Sequence, residues 1–162
     1  MSLQYIIDAY NLINHPAFKP VNKSALNIQF ALADFIRFNR LTGSKTNRLI
    51  LVFDGYPPPP ENVPVGDNLV CMFSLDKEAD ELIKQLVENS ASPRNMIVVS
   101  DDKEIRLASS FSRARVSGVE EFICGKKNLR TASAKVAETD FKLSFASIEK
   151  INSELRKKWL KE

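Results

Sequence analysis

Four stretches of the chain are nearly continuous in Val, Ile, Leu and Phe: LQYIID (3–8), RLILVFD (48–54), LVCMFS (69–74) and NMIVVSDD (95–102). A run that is apolar at almost every position suits a strand covered by helices on both faces, as in a parallel sheet. ARVSG (114–118) is a weaker candidate for a fifth strand. Between the runs the apolar residues spread to helical spacing. SALNIQFALADFIRFNRL (24–41) puts Leu26, Phe30, Leu32, Phe35, Ile36 and Phe38 on one broad face, with Ser24 as N-cap. DKEADELIKQLVENS (76–90) spaces Leu82, Ile83, Leu86 and Val87 helically, and Asp76 with the first-turn acids suits a helix N-terminus. A short helix is expected at 103–110. LSFASIEKINSELRKKWL (143–160) carries Ile148, Ile151, Leu155 and Trp159 on one stripe and predicts a docked terminal helix. GYPPPPENVPVGDN (55–68) holds five of the eight prolines, so it is not helical and links two strands irregularly. Strands alternating with helices predict an α/β fold whose parallel strands are joined by right-handed crossovers.

At 162 residues the chain suits one domain with a real core, and 44% hydrophobic against 27% charged residues is ordinary for a globular protein. The first apolar run is too short for a signal peptide and lacks a basic flank, and no stretch reaches the roughly 18–20 apolar residues of a membrane span. Cys71 and Cys124 stand far apart without zinc-ligand spacing. They are expected as free thiols in a reducing compartment, which predicts a cytoplasmic protein. The net charge of +3 is unevenly spread. Residues 1–112 hold 11 Lys+Arg against 13 Asp+Glu, and residues 113–162 hold 12 against 7. A basic tail is either a solvated surface or a grip on a phosphate backbone.

Three of the four strong runs end in aspartate: Asp8, Asp54, and Asp101 with Asp102. In an open parallel sheet the carboxyl ends of the strands share one edge, where ligands bind at the reversal of strand order. The helix after the third run starts on that edge and adds Glu78, Asp80 and Glu81. Carboxylates crowded together repel unless a cation joins them, and oxygen donors without His or Cys suit Mg²⁺ or Mn²⁺. Such a cluster fits metal-assisted phosphodiester chemistry. No Ser–His or Cys–His pair competes, and His15, the single histidine, sits beside a proline as a surface or packing residue. The competing explanation for each acid is plainer: an aspartate after a strand also serves as a helix N-cap or turn former.

Four motifs in order, YIIDAYNLI, LILVFDGY, FSLDKEADELIKQLV and MIVVSDDKEI, resemble the YacP-like branch of the NYN domains, which belong to the PIN-like metal-dependent nucleases. The likeness covers roughly residues 3–122. It implies a mostly parallel five-stranded sheet of order 3-2-1-4-5 flanked by helices, with the first and fourth strands adjacent. With the charge count and the terminal helical stripe, the chain is expected to divide into a nuclease domain (1–125) and a basic segment (126–162), with a terminal helix, docked on it. The resemblance also implies that Asp8, Asp80 and Asp101 are catalytic metal ligands for Mg²⁺ or Mn²⁺ and that Asn11 orients the Asp8 loop or a water. Ser100 supplies a hydroxyl or backbone contact, and Asp54, Glu78 and Asp102 are more peripheral. Two positions depart from the family pattern. Ala9 stands where the first motif usually has glycine, and SDDKEIRL lacks the glutamine many relatives carry after the fourth-strand aspartate.

The expected activity is that of an endoribonuclease hydrolysing single-stranded RNA in decay or processing. RNA, rather than DNA, is implied by the resemblance alone. The expected RNA contacts are Lys103 and Arg106 beside the site, Arg113, Arg115, Lys126, Lys127 and Arg130 further along, and Tyr10 and Tyr56 as stacking or packing aromatics. A ribosomal partner is open for this branch, and no residue demonstrates it. The alternative is a non-catalytic RNA-binding or ribosome-associated protein of the same fold. A HAD-type phosphatase ranks lower, because Tyr10 occupies the place of its second aspartate.

Overall fold

All five apolar runs form strands: β1 (Gln4–Asp8), β2 (Arg48–Phe53), β3 (Leu69–Phe73), β4 (Met96–Val99) and β5 (Arg115–Ser117). They are seen in a computed structural model that describes residues 2–20 and 27–125. Every pairing is parallel and the order is β3-β2-β1-β4-β5, as the family resemblance implied. β1 lies at the centre, with Ile7 opposite Leu51 on one side and Val99 on the other. The chain steps from β1 out to β2 and β3, then crosses back to β4, so strand order reverses between β1 and β4.

Helices α1 (Ala9–Asn14), α2 (Ile28–Phe38), α3 (Ala79–Glu88), α4 (Lys103–Phe111) and α5 (Val119–Cys124) cover both faces. Side chains alternate across a strand, so residue parity sorts them. Ile7, Leu49, Leu51, Phe53 and Val99 pack with Leu12, Leu32, Phe35, Ile36, Val119 and Phe122, which makes this the α1–α2–α5 face. Ile6, Ile50, Val52, Met96 and Val98 pack with Ile83, Val87 and Ile105, the α3–α4 face. Ile6, Ile7, Leu51, Val52, Val98 and Val99 are wholly buried. Both parities meet a helix layer, hence runs without polar alternation. Each such side chain contributes about 1.5–3 kcal/mol by leaving water.

Several helix details differ from the sequence expectation. α2 is capped by Asn27, whose side chain accepts from the Gln29 N–H at 3.0 Å. Ser24 and Leu26 lie outside the described residues. Leu32, Phe35 and Ile36 are buried as expected, but Phe30 and Phe38 are exposed, and Ala31 and Ala33 pack in their place. Phe30 and Phe38 each sit two residues from a buried position, a rotation of about 200° that carries them off the stripe. α3 begins at Ala79 rather than at Asp76, which instead accepts from the Tyr56 hydroxyl. The proline-rich link from β2 to β3 holds no α-helix, only a 3₁₀ turn over Pro60–Asn62. The six-residue helices α1 and α5 were not foreseen. The predicted terminal helix (143–160) and the segment 126–162 lie outside the described residues. Among the described residues, no helix is long and apolar enough to cross a membrane.

Candidate active site

Asp8 is the last residue of β1 and the N-cap of α1, and only 3% of its surface is exposed. Its Oδ1 accepts from the Asn11 N–H at 3.1 Å. Its Oδ2 accepts from the Asn11 side-chain amide and from the Ser100 hydroxyl, the latter at 3.2 Å. Ser100, fully buried just past β4, accepts in turn from Asn11 Nδ2 at 3.2 Å and from the Asp102 N–H at 3.0 Å. One proton donated and two lone pairs filled exhaust that hydroxyl. The bond set fastens the tip of β1 to the tip of β4 where strand order reverses. Ala9, at the glycine position of the family motif, is the buried first residue of α1 and is not among the residues with positive φ, so no glycine is needed there.

Residue parity places the remaining acids. Asp8, Asp54, Ser100 and Asp102 continue the even-numbered series that faces α3 and α4. Asp101 continues the odd-numbered series toward α5, and its Oδ1 accepts from the Val119 N–H at 2.9 Å. Asp102 caps α4, with Oδ1 accepting from Glu104 N at 2.7 Å and Ile105 N at 3.0 Å. Asp54 Oδ1 accepts from Ala79 N at 2.8 Å, at the start of α3. All four strand-end aspartates therefore hold helix N-termini. In Asp54, Asp101 and Asp102 the second carboxylate oxygen has no hydrogen-bond partner among the described residues.

Asp80, half-buried in the first turn of α3, is where the charges converge. Burial pushes its pKa upward, repulsion from Asp102 and Asp8 adds to that, Lys84 opposes it, and Asp54 adds a smaller push. Lys84 lies one turn along α3 and forms a salt bridge with Glu104 at 3.2 Å, stitching α3 to α4. The structure thus brings Asp8, Asp54, Asp80 and Asp102 into one field and turns Asp101 to the other face. Alternation counted past the end of β4 would have separated Asp102 from Asp101 in the sequence.

Glu78 is the N-cap residue of α3 by position, exposed and without a side-chain cap bond. Lys103 opens α4 in solvent, and Arg106 is half-buried beneath it. Tyr10 and Tyr56 are 68% and 65% exposed. Because α4 runs back across the sheet, Arg113 and Arg115 stand at the amino edge, away from the acids; Arg115 is level with Tyr5, both being in register with Ile97. Lys126, Lys127 and Arg130 lie outside the described residues. His15 is half-buried and accepts at Nδ1 from the Ala17 N–H at 3.2 Å. Both cysteines are free; burial pushes the Cys71 thiol up to about 11 against the opposing field of Arg37.

The donors around Asp80 are all carboxylate oxygens that repel one another, a set suited to a hard divalent cation. As placed, no three acidic, His or Cys side chains among the described residues stand at enclosing distance.

Solved structures support the fold. The chain is similar to the crystal structure of Rae1 (YacP) from Bacillus subtilis, at 18% identity over 98% of this chain and 92% of that one, with a TM-score of 0.53. A mutant form of the same protein gives 20% identity, 93% and 90% coverage, and a TM-score of 0.53. No curated protein matches the chain. The family model described as the YacP-like NYN domain matches residues 5–162. The chain belongs to the YacP-like NYN domain family.

Proposed function

We propose that this protein is a metal-dependent endoribonuclease that hydrolyses phosphodiester bonds of single-stranded RNA. The observation that carries the proposal is Asp80, a half-buried carboxyl whose ionisation is opposed by Asp102, Asp8 and Asp54. A family of nuclease type supplies the context. Asp8, Asp80 and Asp102 would hold Mg²⁺ or Mn²⁺, with Asp101 bordering the set from the α5 side. When bound, such a cation neutralises charge on the scissile phosphate and makes water a nucleophile at neutral pH.

The protein's own residues do the rest. Asn11 and Ser100 fix the Asp8 carboxylate so that it presents one geometry. Lys103 and Arg106 at the start of α4 hold the flanking phosphates, and the exposed ring of Tyr10 offers a stacking face beside Asp8. Attack by water rather than by the ribose hydroxyl leaves a 5′-phosphate and a 3′-hydroxyl.

The test is cleavage of an end-labelled single-stranded RNA in Mn²⁺, Mg²⁺ or EDTA, with Asp8→Asn alongside. Cleavage is expected only with a metal, with 5′-phosphate products, and is expected to fall to background in the variant. Cleavage in EDTA, or an active Asp8→Asn enzyme, would overturn the proposal. One observation favours a non-catalytic RNA-binding protein instead: every strand-end aspartate already serves as a helix cap. That protein would bind the same RNA equally in EDTA and in Asp8→Asn, and would cut it in neither.

A further inference from the structure

At the opposite end of the sheet from the acids, a cavity of about 540 Å³ opens between the end of α2, the loop into β2 and the start of β3. Its floor is apolar, made by Ile36, Leu49 and Leu69, and its walls carry Arg37, Arg40 and Lys45. Among the described residues none of these three cations forms an ion pair. Asp67 is the one carboxylate in the lining.

Two features shape the walls. α2 ends with Leu41 N donating to Ile36 O and Arg40 N to Arg37 O, both at 3.1 Å. That termination puts the next residue in left-handed backbone, where glycine is preferred. The residue is Arg40, with φ of 51°. Glycine would serve the fold better there, and α4 ends in the same way on Arg113, with φ of 67°; at the end of α2 the arginine supplies a guanidinium at the cavity. The second feature is Gly66, where an added methyl group would run into the Arg37 guanidinium. Glycine lets Arg37 lie against the loop. The rim is pinned as well: Asn47 Nδ2 donates to Thr42 O at 2.8 Å and Asn68 Nδ2 to Lys45 O at 2.7 Å.

We propose that this cavity binds a nucleotide, free or as one unit of an RNA strand. Three cations without carboxylate partners among the described residues suit a phosphate. The apolar floor suits a base or sugar, and a lone carboxylate suits a ribose hydroxyl. An inorganic anion would leave the floor unused, and an apolar ligand would leave three charges uncompensated. The volume falls within the roughly 300–1,000 Å³ of small-molecule sites. A strand seated here would meet further cations along the same edge, among them Arg94, Arg113 and Arg115, from the loop before β4 and around the start of β5. The inference does not depend on the acidic edge cutting RNA.

The experiment is calorimetry on the full chain in EDTA, titrating 5′-AMP and, separately, a short single-stranded oligoribonucleotide. The variants are Arg40→Gly, Gly66→Ala and, as a control that removes one exposed cation at the far edge, Lys77→Gln. Arg40→Gly removes a cation while relieving the backbone, so its melting temperature should not fall and lost binding is not unfolding. Gly66→Ala pushes the flexible end of Arg37 off the loop with net charge unchanged, which tests whether its placement matters. Arg40→Gly is expected to weaken binding about tenfold or more, the scale of one lost charge-assisted hydrogen bond, and Gly66→Ala by less because the end of Arg37 can shift, with Lys77→Gln unaffected. Binding of AMP that the oligomer does not compete assigns a free nucleotide; oligomer binding that AMP displaces assigns a unit of the strand. Absence of binding by both ligands, or affinity unchanged in Arg40→Gly, overturns the proposal.

Discussion

Ser100 and Asp80 respond to substitution in opposite directions because one is fully satisfied and the other is opposed by its neighbours. The buried Ser100 hydroxyl serves Asp8, Asn11 and Asp102 together. Ser100→Ala strands the Asp102 N–H and loosens Asp8, and should cost roughly 1–3 kcal/mol, the penalty for buried polar groups left unpaired. A melting curve measures it, and an unchanged midpoint would show that Ser100 does not hold the two strand tips together. At Asp80, burial and the Asp102 and Asp8 carboxylates disfavour the charged form. Asp80→Asn should therefore raise the melting temperature of the metal-free protein at pH 7 while impairing cleavage, a trade of stability for function. The sign follows from linkage: a carboxyl whose pKa is raised on folding favours the fold below its unfolded value, near 3.9 for aspartate, and that contribution is lost as pH rises through the folded value. The variant's advantage should accordingly shrink as pH falls into the ordinary aspartate range.

Helix starts at the carboxyl edge depend on aspartate caps. Asp54 holds α3 through Ala79 N, and Asp101 holds α5 through Val119 N. Removing either cap should cost a similar amount, about 0.5–2 kcal/mol. Their effects on activity should differ. Asp54→Ala frees the turn that carries Asp80 and should slow cleavage, whereas Asp101→Ala loosens α5 on the other face and should slow it far less. Melting curves and cleavage rates for the pair check this, and equal losses of activity would refute the division by face. The strands were legible in the sequence because both of their faces are covered, yet that same uniform run of apolar residues hides which face each position serves. The bonds beyond the strand decide it: the Asp102 N–H and Asp8 share the Ser100 hydroxyl, while Asp101 holds Val119 N on the other face. α1 and α5, under two turns each, are too short to show a period, and an aspartate after a strand, as at Asp8 and Asp101, reads equally as a cap or as a ligand. Phe30 and Phe38 misled in the other direction, since their size suggested core where the helix angle puts them in solvent.

At the scale of the fold, and among the described residues, the two edges of the sheet differ in charge. The carboxyl edge gathers Asp8, Asp54, Asp80, Asp101 and Asp102, while the amino edge presents Arg40, Lys45, Arg94, Arg113 and Arg115. A negatively charged strand would be repelled by the first edge in the absence of a cation and drawn to the second, so the proposed nuclease would take RNA into the acidic crevice only with metal bound. The decisive measurement is a calorimetric titration of Mn²⁺ into the wild-type chain, Asp80→Asn and Asp101→Asn. Saturable binding to the wild type and to Asp101→Asn, and its loss in Asp80→Asn, is the expected result. No binding to the wild type, or undiminished binding to Asp80→Asn, would contradict a cation held by Asp8, Asp80 and Asp102.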